Sequence, residues 1–126
     1  MQICIFEDEQ HINFYPLTYS RPVYDLVCGI YSLRQKIARE FLAEKTTFHC
    51  RKYLEDTVKL QNPDFDVNFI KDDSCLFING RVKVDENFSE QINVNSPDNC
   101  AFVNRNEIIA FKLSGSNLQK IKNNFP

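Results

Sequence analysis

At 126 residues the chain is long enough for one domain, in which roughly two thirds of the unfolded chain's surface can be buried. Its formal net charge of −2 comes from 15 basic and 17 acidic residues scattered along the sequence, which argues against the basic stripe that nucleic-acid binding needs. The longest apolar runs are a handful of residues, far below the roughly 20 that span a bilayer, and no basic-then-apolar leader opens the chain, so a cytoplasmic protein with no membrane partner is expected.

The first element is Ile3-Cys4-Ile5-Phe6, a continuous apolar run of the kind that forms a central parallel strand covered on both faces. Glu7-Asp8-Glu9 follows at once and puts up to three carboxylates at the strand's carboxyl end, where a metal ion or a ribose hydroxyl can use them. The other reading is a solvated acidic turn, the usual place for such residues. His11 and His49 have neither a nucleophile motif nor metal-ligand spacing beside them, so both read as surface or hydrogen-bonded histidines.

Tyr15 to Ile37 is the stretch on which the functional reading turns. In an open α/β sheet the loop leaving the first strand crosses the carboxyl edge, where ligands collect at the topological switch point. Arg21 carries a planar, permanently charged fork suited to phosphate, and it can equally pair with Asp25 or with the acidic cluster at Glu7. Thr18 can donate to a phosphate or cap a local turn. From Ile30, the residues Ile30, Leu33, Ile37, Ala38, Phe41 and Leu42 recur at three and four and define one helical face, with Ser32 and Gln35 as a capping box. The amino end of that helix points back at the loop, where its amides favour a negative group.

Thr46 to Cys50 reads as the second strand and Tyr53 to Leu60 as a short helix stopped by Asn62-Pro63. Val67 to Ile70 reads as a third strand and, after the turn Asp72-Asp73-Ser74, Cys75 to Ile78 as a fourth. Asp85 to Ile92 reads as a helix and Ser96 to Asn99 as a loop. Ala101–Val103 and Ile108–Leu113 read as an antiparallel hairpin at the sheet edge, and Ser116 caps a last helix with Leu118, Ile121 and Phe125 on one side. This alternation predicts an α/β fold, a mostly parallel Rossmann-like sheet flanked by helices with a C-terminal antiparallel hairpin, in a single domain over residues 1–126. Cys4, Cys28, Cys50, Cys75 and Cys100 form no C-x-x-C pair and read as buried thiols rather than zinc ligands.

Pro16-Leu17-Thr18, then Arg21-Pro22, then Gly29 before a helix together resemble the start of the sugar-phosphate nucleotidyltransferases, whose first loop carries a Pro-Leu-Thr segment, a Pro-Lys pair and a glycine. Leu76-Phe77-Ile78-Asn79-Gly80-Arg81 is similar to the strand-end Leu-Asn-Gly-Asp motif of that fold, and Cys100–Val103 with Ile108–Leu113 to its short two-stranded stretch. The likeness is nearest to the glycine-poor bacterial branch and to the N-terminal domain of bifunctional N-acetylglucosamine-1-phosphate uridyltransferases. It implies transfer of a nucleotidyl group to a sugar 1-phosphate, with a nucleotide or sugar phosphate as partner and magnesium (Mg) as cofactor. It also implies that the chain is the N-terminal part of a longer protein, with a second lobe or a left-handed β-helix domain beyond it. On this resemblance Arg21 and Arg81 take the catalytic, charge-neutralising roles over one crevice, Thr18, Asn79 and Gly80 bind substrate, and Glu7 and Asp8 hold the metal.

The sequence departs from the family pattern at three places. The glycine-rich loop that lets backbone amides approach phosphates is replaced by Glu7 to Asn13, and Gly29, Gly80 and Gly115 all lie elsewhere. Carboxylates in that loop repel a triphosphate unless a cation intervenes. Pro22 stands where the family lysine aligns, next to Arg21. Arg81 occupies the place of the magnesium-binding aspartate; it has no lone pair to give a metal but can neutralise phosphate oxygens directly. These departures fit a second reading, a non-catalytic nucleotide-sugar binding or docking module attached to an acyltransferase-like β-helix, and a third, a plain structural domain.

Overall fold

The computed structural model describes residues 2–28, 31–40, 45–82, 92, 99–105 and 107–123. Six strands form one sheet: β1 (Gln2–Phe6), β4 (Lys45–Phe48), β5 (Asp66–Val67), β6 (Ser74–Asn79), β7 (Cys100–Asn104) and β8 (Glu107–Ser114). Their order is β5-β4-β1-β6-β8-β7. The first four are mutually parallel, and β8 and β7 complete the sheet as an antiparallel hairpin with β7 at its edge. The predicted mixed α/β architecture is therefore present.

The chain steps from β1 outward to β4 and β5, then returns to lay β6 against the other side of β1. Connections leaving β1 and β6 diverge, so the carboxyl ends of these two strands are the switch point of the sheet. There Phe6 is registered opposite Asn79.

Side-chain alternation builds two hydrophobic layers from one apolar run. Ile3 and Ile5 face a cluster with Ile37 of α1 (Leu33–Glu40), Val58 of α2 (Glu55–Gln61), Leu76 and Ile78. Cys4 and Phe6 face the opposite cluster, with Phe77, Phe111 and the fully buried Leu118 of α3 (Gly115–Asn123). Burying each such aliphatic side chain is worth about 1.5–3 kcal/mol. Cys4, Cys50 and Cys75 are buried thiols and Cys100 is a half-buried one; the side chain of Cys28 lies outside the described residues.

Several boundaries differ from expectation for local reasons. Val27–Cys28 (β2) and Tyr31–Ser32 (β3) pair as a short antiparallel ribbon, and α1 starts only at Leu33. The capping box fixes that start: Ser32 N–H donates to Gln35 Oε1 at 2.8 Å and Gln35 N–H to Ser32 Oγ at 3.3 Å. Those bonds, with Leu33 N–H donating to Leu26 O at 3.0 Å, occupy three of the amides at the end expected to face a phosphate. β5 is two residues long because Asn68 takes a left-handed backbone (φ 55) and gives its side chain to Cys50 N–H and Glu55. Ser116 lies inside the first turn of α3, behind Gly115, whose φ of 58 suits glycine. Gly29, Phe41, Leu42, Phe125, most of the expected Asp85–Ile92 helix and all but Asn99 of the Ser96–Asn99 loop lie outside the described residues. Among the described residues no helix is long and apolar enough to cross a membrane.

Gly80 shows how tightly the switch point is packed. Its N–H donates to Phe6 O at 2.8 Å, and a Cβ there would stand 2.8 Å from Cβ and Cδ2 of Tyr24 and 3.0 Å from Phe6 O. Tyr24 cannot retreat, because it is fully buried, stacked on Phe48 and donates its hydroxyl to His49 O at 2.9 Å. Gly80→Ala is therefore expected to lower unfolding free energy by about 1–3 kcal/mol, the usual range for overpacking, as read from the midpoint of chemical denaturation.

Candidate functional site

Alternation continues past the end of β1. Glu7 follows the Ile3 and Ile5 face and Asp8 the Cys4 and Phe6 face, so two adjacent carboxylates are met by two different guanidiniums. Glu7 is only 5% exposed. Arg51, three residues beyond β4, donates Nε to Glu7 Oε2 at 3.0 Å and Nη2 to Oε1 at 3.1 Å. The backbone N–H groups of Val23 (3.1 Å) and Arg51 (3.3 Å) complete the carboxylate's partners. The same guanidinium donates to the carbonyls of Thr18 and Arg21 and to the Tyr53 hydroxyl, which in turn donates to Tyr19 O at 2.9 Å. Arg51 thus fastens the loop after β1 to the strand that precedes it.

Around this pair the titratable groups are locked. Burial, reinforced by Cys50, Asp25 and Glu7, pushes the Tyr24 phenol far above its ordinary range, so it never serves as a base near neutrality. Burial, then Glu7 and Glu55, holds the Cys50 thiol up at about 12, protonated and unreactive. His49 accepts the Glu7 N–H at Nδ1 (3.4 Å), and burial lowers its pKa despite the opposing pull of Glu7. Asp25 is raised by burial against Arg34, which it meets at 2.8 Å, and against Arg21.

The second ion pair sits at the switch point itself. Arg81 donates Nε to Asp8 Oδ1 at 3.1 Å and Nη2 to Oδ2 at 2.8 Å. Asn79, 3% exposed, donates Nδ2 to Asp8 Oδ2 (2.9 Å) and Ile108 O (3.0 Å) and accepts the Arg81 N–H at Oδ1 (3.0 Å). A cavity of about 270 Å³ opens beside them, lined by Asn79, Arg81, Val82, Arg105, Glu107, Ile108 and Ile109. Arg105 reaches it from the β7–β8 turn, where its φ is 51.

The expected site residues are thus distributed between two clusters. Asn79, Arg81 and Asp8 are together; Glu7 and Thr18 are beneath the loop with Arg51; Gly80 faces Tyr24. Thr18 is fully buried, and Asn79 spends its amide inside the protein, which makes it a positioning residue. Arg21 lies exposed on the loop, its carbonyl bound by Arg51, and does not line the cavity that holds Arg81. The reading of Glu7 as part of a solvated turn gives way to a buried ion pair. Arg51 and Arg105 carry no motif in the sequence; an arginine just after a strand and another in a hairpin turn were the only signals available.

Neither carboxylate fits a magnesium ion as it stands. Both oxygens of Glu7 and both of Asp8 already accept charge-assisted bonds from a guanidinium, and each guanidinium would repel a cation brought alongside. Among the described residues no three His, Cys, Asp or Glu side chains are grouped closely enough to hold a metal.

The family model described as sugar nucleotidyl transferase matches residues 3–126. The chain belongs to the sugar nucleotidyl transferase family. No curated protein and no solved structure matches it. In this family member the carboxyl edge of the sheet is held by two ion pairs of unequal burial, Glu7–Arg51 with side chains 1% and 13% exposed and Asp8–Arg81 with side chains 28% and 18% exposed.

Removing the Arg51 guanidinium leaves the Glu7 charge buried and alone. Arg51→Ala is expected to cost about 3–5 kcal/mol in denaturant unfolding, and Arg51→Lys to recover only part of it because a lysine has no fork for the carboxylate and two carbonyls. Stability is also expected to fall on acidification below the ordinary histidine pKa of 6.5, because the unfolded chain then binds a proton at His49 that the folded chain refuses. The contribution is complete above 6.5 and disappears as pH falls through the lowered folded value. Asp25 has the opposite sign from 3.8 upward, but it is common to the wild type and His49→Asn, so the difference in their melting temperatures between pH 7 and pH 5 isolates the histidine.

Proposed function

We propose that the chain binds the phosphate groups of a nucleotide or sugar phosphate beside Arg81 and serves transfer of a nucleotidyl group to a sugar 1-phosphate. The observation that carries this reading is the position of Arg81, a guanidinium lining a cavity at the sheet's switch point in a member of a nucleotidyltransferase family. In such a transfer an oxygen of the sugar 1-phosphate bonds to the α-phosphorus. The bond from that phosphorus to the oxygen bridging to the β-phosphate breaks, and pyrophosphate leaves with the electron pair. This chemistry asks a protein mainly for alignment and charge neutralisation.

In our reading Arg81 and Arg105 meet phosphate oxygens, Asp8 and Asn79 hold the Arg81 guanidinium in its plane, and Arg21, on the loop pinned by Arg51, supplies a further positive charge to a longer ligand. The resemblance to N-acetylglucosamine-1-phosphate uridyltransferases makes UTP and N-acetylglucosamine 1-phosphate the first substrates to test. The occupation of both carboxylates favours a second reading, a module that binds a nucleotide-sugar without transferring it.

Calorimetry with nucleoside triphosphates, N-acetylglucosamine 1-phosphate and UDP-N-acetylglucosamine, paired with a pyrophosphate-release assay, separates the two. We expect nucleotide binding that weakens about tenfold or more in Arg81→Ala, the loss of a charge-assisted hydrogen-bond pair. Pyrophosphate release identifies a transferase, binding without release identifies the module, and no binding of any of these ligands overturns both.

A further inference from the structure

We infer that the phosphate site at Arg81 works without a divalent cation, the Arg81 guanidinium standing in for it. This rests on the reading that Arg81 meets phosphate. A cation at this edge needs several hard oxygen ligands, and three of the side-chain oxygens there are committed: Asp8 Oδ1 and Oδ2 to Arg81 and Asn79, and Asn79 Oδ1 to the Arg81 N–H, which leaves the exposed Glu107 as the carboxylate lining the cavity among the described residues. Freeing an Asp8 oxygen would break a two-point charged bond and leave the guanidinium facing the arriving ion.

The guanidinium, by contrast, has capacity to spare. Of its five N–H groups, Nε and one Nη2 hydrogen go to Asp8. Nη1 stands 3.8 Å from Glu107 Oε1, an ion-pair contact beyond hydrogen-bond length. Among the described residues three donors are left along the edge of a planar cation that lines the cavity. Asp8 fixes the plane of that cation through two bonds, and Asn79 fixes Asp8, the Arg81 backbone and β8 together. Donors held in place before a ligand arrives need no reorganisation when it does, which is the property a bound metal ion otherwise provides.

The charges around the cavity set the sign of the test. Arg81 and Arg105 attract an anion while Asp8 and Glu107 repel it, so a carboxylate here opposes phosphate, whereas at a metal site a carboxylate promotes it. Glu107 is the useful probe because its side chain is 60% exposed, so the fold does not depend on it.

Inorganic pyrophosphate, the β,γ-phosphate portion of every nucleoside triphosphate, is titrated calorimetrically into the full chain in excess EDTA and in excess magnesium. We expect binding in EDTA at least as tight as in magnesium, which complexes free pyrophosphate, a loss of about tenfold or more in Arg81→Gln, and several-fold tighter binding in Glu107→Gln. Binding that vanishes in EDTA and returns with magnesium overturns the inference while leaving the phosphate reading standing. Weaker binding in Glu107→Gln, the result of removing a metal ligand, overturns it as well, as does Arg81→Gln binding like the wild type. No binding in either buffer overturns the inference and the phosphate reading together.

Discussion

A carboxylate buried at the end of a central strand is the constraint around which this structure is arranged. Glu7 cannot remain ionised and almost wholly shielded from water unless donors replace its hydration, since the effective penalty is several kcal/mol per ion. Four donors do so: two from the Arg51 guanidinium and two from backbone amides. Arg51 then has to be held too, and the Nη2 group that meets Glu7 also reaches the carbonyls of Thr18 and Arg21. Satisfying one charge therefore fixes the course of the loop after β1, in which Ile12, Tyr15, Leu17 and Tyr19 are all exposed and would not anchor it by burial.

The two ion pairs at the sheet's edge look alike as chemistry and differ as environments. In Glu7–Arg51 the carboxylate lies beneath the loop, 1% exposed, the guanidinium is committed to it and to loop carbonyls, and removing either partner strands a charge. Asp8–Arg81 is partly exposed beside a cavity and retains uncommitted donors. Water screens and relaxes such a pair, so its contribution to stability is small and its guanidinium can take an additional anion. Burial thus separates a fastening from a site, although the same residue types make both.

Much of the fold was legible because it follows from short-range pattern. The apolar run at residues 3–6, the Ser32–Gln35 capping box, the Asn62-Pro63 stop and the C-terminal hairpin each depend on neighbours a few residues away. The site was legible only in part. Arg51 meets Glu7 across 44 positions and Arg81 meets Asp8 across 73, and no local spacing encodes such partners. The general exposure of acidic residues pointed Glu7 outward, and a partner invisible in the local sequence turned it inward. Gly80 read as a substrate-binding residue, but the group packed against it is Tyr24, a ring whose position depends on Phe48 and His49.

Leu76 to Arg81 resembles a strand-end motif, so Arg81 can be compared with the residue that motif has in its place. The strand-end motif it resembles carries an aspartate there, a negative group that acquires positive charge only by capturing a cation. An arginine at the same place changes the local charge by two units, from −1 to +1, which is the charge a divalent ion would have delivered. The fold supplies the location in either case, because the switch point exists wherever connections diverge from β1 and β6. On the proposed reading, the substitution conserves the electrostatic task while changing who performs it. A covalently attached cation is present at any metal concentration, cannot be chelated, and arrives with its orientation set by Asp8 and Asn79. Its limitation is equally physical: a guanidinium cannot exchange ligands or bridge two reacting phosphates as an ion can, so a site built this way is better suited to holding phosphate than to following it through a displacement.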